Sequence, residues 1–289
     1  MKAVVLCITG GLASGLASGL ALPSFAMDRV DSGEAVITEN NQNIRIQSEA
    51  QPNHITGRFP NSGNPHAIER VQVDVQVAAN PAKTNRATAV RMAGVALNGI
   101  LFEPGTAECF GQSRRSAGNQ SKPSKHLHGK GKPHRHGPRP TGLAGCEWSE
   151  EAQLDGKTRL GLDQNQAHVQ PGGLYHYHGI PEGLIKTAAN TGDLVWVGYA
   201  ADGHRLLYSR GGQFKSSYSL KTGQRSGGPG GAHTGLYTQD WAYQAGAGDL
   251  DACNGTTIDG EYVYLMTEDF PYLPRCVYGT VDASFNKRG

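Results

Sequence analysis

The stretch Val71-Gln72-Val73-Asp74-Val75-Gln76-Val77 alternates apolar and polar side chains without a break. Successive side chains on a pleated strand leave opposite faces, so this run reads as a strand with one face in a core and one in water. Apart from residues 149–154, no stretch offers a strong amphipathic helix. The chain has 289 residues, 40 of them glycine, and aromatics are sparse, which favours many turns over long helices. The expected fold class is mainly β, or α+β with short helices: a single β-rich domain over 27–289 with long loops and one flexible insertion.

Other segments fit that frame. Ala35-Val36-Ile37-Thr38 and Ile44-Arg45-Ile46 read as a hairpin turning near Asn40-Asn41. Residues 52–65 form a loop rich in Pro, Asn and Gly. Residues 90–102 form a second β segment, in which Asn98-Gly99 supplies a tight turn. Residues 174–178, 194–199, 205–208 and 262–266 read as strands, and 238–244 as a strand or a single helical turn. Residues 149–154 are the best candidate for a short helix, with Ser149 as its N-cap. Strands do not alternate with long helices, which argues against a doubly wound parallel sheet.

The N-terminus has the pattern of a secretory signal peptide: Met1-Lys2, a small and apolar stretch to Leu22, and Ser24-Phe25-Ala26 as a cleavage site. Cleavage after Ala26 is expected, with a periplasmic or secreted product. Cys7 falls inside the leader. No later stretch reaches the roughly 18 apolar residues that span a membrane. Net charge is +2, too small for a global field that would hold nucleic acid or membrane. The remaining cysteines, Cys109, Cys146, Cys253 and Cys276, are even in number, and in an oxidising compartment they imply two disulfides with three possible pairings. Cys109–Cys146 with Cys253–Cys276 is favoured, because each pair brackets one distinctive segment. A zinc site is disfavoured by the absence of CxxC spacing.

Residues 118–141 are Lys, His, Pro, Gly and Ser with almost no apolar side chain. They cannot bury enough surface to offset their ordering entropy and are expected to be disordered. Two His-x-His pairs lie there, His126 with His128 and His134 with His136. They suit metal recruitment, against the plainer reading of a solvated basic linker.

The sharpest chemical feature is Tyr175-His176-Tyr177-His178. Residues two apart on a strand share a face, so the two imidazoles point one way and the two phenols the other. His168, upstream of a turn at Gln170-Pro171-Gly172-Gly173, can supply a third ligand and leave an open position on a divalent ion, copper or zinc. His54 and Asp202 are further contributors. Asp202, Asp240, Asp249 and Asp251 read singly as turn residues. Asn254-Gly255-Thr256 fits a glycosylation sequon, a pattern common by chance. No GxSxG elbow, P-loop, dinucleotide fingerprint or HExxH is present. One echo runs through the chain: Leu162-Asp163 precedes Tyr175 as Leu250-Asp251 precedes Tyr262-Val263-Tyr264-Leu265, with Gly173 and Gly260 before the tyrosines. An internal duplication that kept histidines in one copy accounts for it, with chance as the rival in so glycine-rich a chain.

The segment Ala167-His168-Val169-Gln170-Pro171-Gly172-Gly173-Leu174-Tyr175-His176-Tyr177-His178-Gly179 resembles the signature of the YHYH-domain family. The resemblance extends to Pro52-Asn53-His54-Ile55-Thr56-Gly57-Arg58-Phe59-Pro60, Val95-Ala96-Leu97-Asn98-Gly99, Val197-Gly198-Tyr199-Ala200-Ala201-Asp202-Gly203, Gly248-Asp249-Leu250-Asp251-Ala252-Cys253-Asn254-Gly255 and Phe270-Pro271-Tyr272-Leu273-Pro274-Arg275-Cys276, in order over about 50–280. Family resemblance brings no particular activity with it. This chain departs from the pattern at Gln166, where relatives carry a histidine, and at His204, where they carry an apolar or aromatic residue. The expectation is an exported copper- or zinc-binding protein. The alternatives are a metal-dependent hydrolase or oxidase using an open position, and an extracellular interaction module without metal.

Overall fold

The computed structural model describes residues 25–111, 146–153 and 160–286. The expected leader up to Ser24, and the His-rich insertion with His126, His128, His134 and His136, lie outside the described residues. Among those described, the strands are β1 (Met27–Arg29), β2 (Val36–Glu39), β3 (Asn43–Ser48), β4 (Val73–Ala78), β5 (Thr88–Ala89), β6 (Gly94–Ala96), β7 (Leu101–Phe102), β8 (Ala167–Val169) and β9 (Tyr175–Tyr177). After helix α1 (Glu182–Ile185) come β10 (Leu194–Ala200), β11 (Arg205–Ser209), β12 (Tyr218–Leu220), β13 (Trp241–Tyr243), β14 (Gly255–Ile258), β15 (Glu261–Met266) and β16 (Cys276–Val277).

The alternating run supplies β4, the end of a three-stranded antiparallel sheet ordered β2-β3-β4. Its valines Val73, Val75 and Val77 are buried, while Asp74 on the outer face pairs with Arg45 of β3, Nε to Oδ1 at 2.8 Å. The larger sheet runs β14-β15-β11-β10-β6-β7-β9-β8, with β1 added in parallel to β10. It is mixed: β7–β9 and β11–β15 are also parallel pairs. Its inner strands are buried on both sides, as Leu206, Leu207, Tyr264 and Leu265 show, so they read as continuous apolar runs rather than alternations.

Two tight hairpins meet at the centre of this sheet. One turns at Asn98-Gly99 between β6 and β7, with Gly99 at φ +80°; the other turns at Asp202-Gly203 between β10 and β11, with Gly203 at φ +98°. A side chain on Gly94 or Gly198 would drive a Cβ into the carbonyl of Tyr199 or Val95 across the ladder, so the close approach of β6 to β10 requires both glycines.

The disulfides are Cys109–Cys146 and Cys253–Cys276, the favoured pairing. The short helix expected at 149–154 is displaced. Ser149 bridges Cys109 and Glu150 bridges Tyr237 as isolated β-bridges, and the Ser149 hydroxyl caps nothing; helical backbone begins only at Ala152. Segment 238–244 is both things expected of it, a 3-10 turn over Thr238–Asp240 leading into β13.

Candidate metal centre

Strand β9 is held on two sides. It pairs antiparallel with β8, so that His168 stands opposite His176, and parallel with β7, so that Leu101 stands opposite His176. The turn before β8 is fixed by Asp163. Its Oδ1 accepts the backbone N–H groups of Asn165 (2.8 Å) and Ala167 (3.3 Å), and Gln166 takes φ +53° in between. The Gln166 carbonyl then accepts the N–H of His178 at 2.7 Å, which extends the pairing to the second histidine.

The pleat sorts the four residues of the Tyr-His-Tyr-His run as expected. On one face the phenols enter a buried polar lattice. Tyr175 donates to Asp163 Oδ2 at 2.7 Å; the Tyr177 hydroxyl meets His54 Nε2 at 2.6 Å and Asn98 Nδ2 at 3.1 Å. On the other face His168, His176 and His178 converge, with one ligand nitrogen from each and all three within 4.8 Å of one another. The Nε2 atoms of His168 and His178 are 3.1 Å apart. Two nitrogens bound tetrahedrally to one zinc at about 2.0–2.1 Å would stand roughly 3.3–3.4 Å apart, so little movement separates this arrangement from a chelate.

Outer contacts orient two of the three imidazoles. Nδ1 of His168 donates to the Leu160 carbonyl at 2.9 Å, and Nδ1 of His176 to the Leu174 carbonyl at 3.3 Å, leaving each Nε2 with its lone pair. His176 and His178 are buried and His168 partly so. Burial first, then the neighbouring His176, pushes the pKa of His168 down to about 4; burial pushes His176 down to about 4. Burial and the two neighbouring imidazoles hold His178 well below its ordinary value. All three are therefore neutral at pH 7, the state that binds metal.

One neighbour escaped sequence reasoning. The buried carboxylate of Glu103 places Oε2 3.7 Å from Nε2 of His176. Gln170 Nε2 donates to that oxygen at 2.6 Å, and Arg91 Nε donates to Oε1 at 2.9 Å. Glu103 follows β7, and only the parallel β7–β9 pairing brings it here; no local pattern announces it.

The other expected contributors stand elsewhere. His54 is on the tyrosine face, hydrogen-bonded to Tyr177, because the pleat separates phenols from imidazoles. Asp202 sits in the β10–β11 turn, where Oδ2 accepts from the Tyr264 hydroxyl and from the Gly279 N–H, each at 2.8 Å. Asp249 and Asp251 also tie turns, accepting the N–H of Lys215 (2.8 Å) and of Cys253 (3.0 Å). Asp240 is fully buried among Arg225, His233 and backbone N–H groups. Asn254 of the sequon is also buried, its Nδ2 donating to the Leu265 carbonyl (2.9 Å) and the Thr267 hydroxyl (3.0 Å), so it offers no acceptor for a glycan in the folded chain.

The family model described as YHYH protein matches residues 74–279. The chain belongs to that family, and its Tyr175-His176-Tyr177-His178 run lies within the matched residues. Neither the curated proteins nor the solved structures compared contain a match.

Proposed function

We propose that the protein is an exported binder of one divalent transition metal, zinc or copper, held by His168, His176 and His178. The observation that carries this reading is the convergence of three neutral imidazoles, His176 and His178 buried and His168 partly so, with ligand nitrogens within 4.8 Å of one another. Burying three polar rings against one another without a shared partner is costly, and a cation shared among them removes that cost. Imidazole suits both metals, and both are met outside the cytoplasm. Two disulfides support an oxidising compartment, and among the described residues no helix is long and apolar enough to cross a membrane. Elemental analysis of protein purified from its exported compartment tests the reading. One ion per chain is expected, and none in His176→Ala/His178→Ala. Equal metal content in the two proteins rules it out.

Glu103 favours a second reading, in which the ion activates water and the carboxylate takes its proton. Hydrolysis of a chromogenic ester by the zinc-loaded protein, abolished in Glu103→Gln, is its signature.

A further inference from the structure

Apart from β1, the large sheet is palindromic. Read outward from the β10–β6 contact, each side gives a hairpin, then a strand parallel to it, then an antiparallel edge strand. The correspondence extends to register and to individual hydrogen bonds. Adding 104 to the numbers of the β6–β7 hairpin gives the β10–β11 hairpin: Gly94 faces Phe102 as Gly198 faces Leu206, and Val95 faces Leu101 as Tyr199 faces Arg205. Ala96 N–H donates to the Ile100 carbonyl as Ala200 N–H donates to that of His204, each at 2.8 Å. Where the hairpins meet, Leu97 N–H donates to Val197 O and Ala201 N–H donates to Ala93 O, at 2.9 and 2.8 Å, a reciprocal pair that a two-fold axis interchanges.

The outer strands repeat in the same way. Asp163 N–H donates to Ala167 O and Asp251 N–H to Gly255 O, both at 2.9 Å. Gln166 and Asn254 share a positive φ, +53° and +62°. Tyr175 donates to Asp163 Oδ2 at 2.7 Å, and Tyr262 to Asp251 Oδ2 at 2.8 Å. His178 N–H reaches Gln166 O at 2.7 Å, and Leu265 N–H reaches Asn254 O at 2.8 Å. Tyr177 meets Asn98 of one hairpin turn, and Tyr264 meets Asp202 of the other. Chance likeness in a glycine-rich sequence does not reproduce registers, turn conformations and side-chain bonds together.

We infer that the chain is a fused pair of one strand module, and that the second module carries a lapsed copy of the metal centre at Thr256, Val263, Leu265 and Leu207. The register assigns each member. His168 opposite His176 corresponds to Thr256 opposite Val263, His178 to Leu265, and Glu103 to Leu207. Burial matches too: Thr256 is partly exposed like His168, and Val263 and Leu265 are buried like His176 and His178. Leu207, Val263 and Leu265 form, with Leu194, Leu250 and Ile258, an apolar cluster separate from the main core. Where one half gathers imidazoles and a carboxylate, the other has closed the same space with aliphatic side chains. Glu103 thus changes character together with the three histidines, which groups it with the centre.

Exchange between the halves tests the equivalence. His168→Thr/His176→Val/His178→Leu places the second module's residues in the first. It is expected to fold, to unfold thermally no lower than the metal-free native protein, and to bind no ion. Thr256→His/Val263→His/Leu265→His is expected to bind one ion more per chain than the native protein. The inference falls if the first variant fails to fold or unfolds well below the metal-free native protein, or if the second folds and gains no ion. Should the second not fold, the first decides alone. Its melting temperature is read without metal, so this result is separable from the native protein's own metal content.

Discussion

Tyr175 donates its phenol to the buried carboxylate of Asp163 at 2.7 Å, and so joins β9 to the turn that launches β8. The same carboxylate accepts the backbone N–H groups of Gly57 (2.9 Å), Asn165 (2.8 Å) and Ala167 (3.3 Å). It fixes the entry to His168 from one side and the strand of His176 and His178 from the other. Tyr175→Phe is expected to cost about 2 kcal/mol, the worth of a buried bond to a charged acceptor. Asp163→Ala strands several buried donors and is expected to cost on the order of 4 kcal/mol, with a fall in metal affinity. Urea unfolding of the metal-free variants checks the first effect and metal titration the second.

Acid should loosen the metal-free protein before it touches the carboxylates. Free imidazole titrates near 6.5, whereas burial delays protonation of His168 and His176 to about 4. Between those values the unfolded chain binds more protons than the folded one. The contribution of His168 and His176 is therefore present above pH 6.5 and lost as pH drops to about 4, below which His178 and the buried Asp240 carry the decline further. Chemical denaturation across that range is expected to show the decline, and His168→Thr/His176→Val/His178→Leu to flatten it. A slope equal in the two proteins would assign the effect to other groups.

Much of this was legible from period-two patterns. The alternation at Val71–Val77 became β4, Asn98-Gly99 became a hairpin turn, and the Tyr-His-Tyr-His run sorted its rings by face. A third histidine beyond a glycine turn was legible because β8 and β9 are neighbours in sequence. Glu103 was not, since its place depends on a parallel pairing between β7 and β9, and parallel partners leave no local sequence signature. His54 and Asp202, named with the imidazoles as contributors, stand apart from them in the structure: His54 lies on the tyrosine face of β9 and Asp202 in the β10–β11 turn, placements that depend on tertiary pairing. The internal echo showed only as spacing, because the two copies share backbone hydrogen bonds and few side chains.

Asp240 is a further buried carboxylate, with no contact to the three imidazoles among its hydrogen bonds. Burial alone would raise its pKa, yet bonds from Arg225, His233 and the Tyr237 N–H hold it down at about 2. The pair is desolvated on both sides, with side-chain exposures of 6% for Arg225 and 0% for Asp240. Removing the guanidinium leaves an uncompensated buried charge, so Arg225→Ala is expected to destabilise by about 3–5 kcal/mol. The contribution of Asp240 is present above its unfolded pKa of 3.8 and lost as pH falls towards about 2. Arg225→Ala should accordingly unfold at a higher pH than the native protein in an acid titration followed by circular dichroism.

Under the proposed function, Glu103 would link metal and fold. An ion that binds only the native state stabilises it by about 2.7 kcal/mol at a free concentration one hundred times its dissociation constant. The melting temperature should therefore climb with added zinc and fall back with a chelator. Glu103 lies 3.7 Å from His176 Nε2, anchored by Gln170 and Arg91, so its negative charge adds to the attraction for a cation without crowding it. Glu103→Gln removes that charge at nearly constant volume. It is expected to weaken zinc affinity roughly 10–100-fold, the range for residues that support metal ligands, while the metal-free melting temperature moves little. If affinity holds and the metal-free protein melts early instead, the carboxylate serves the strand and not the ion.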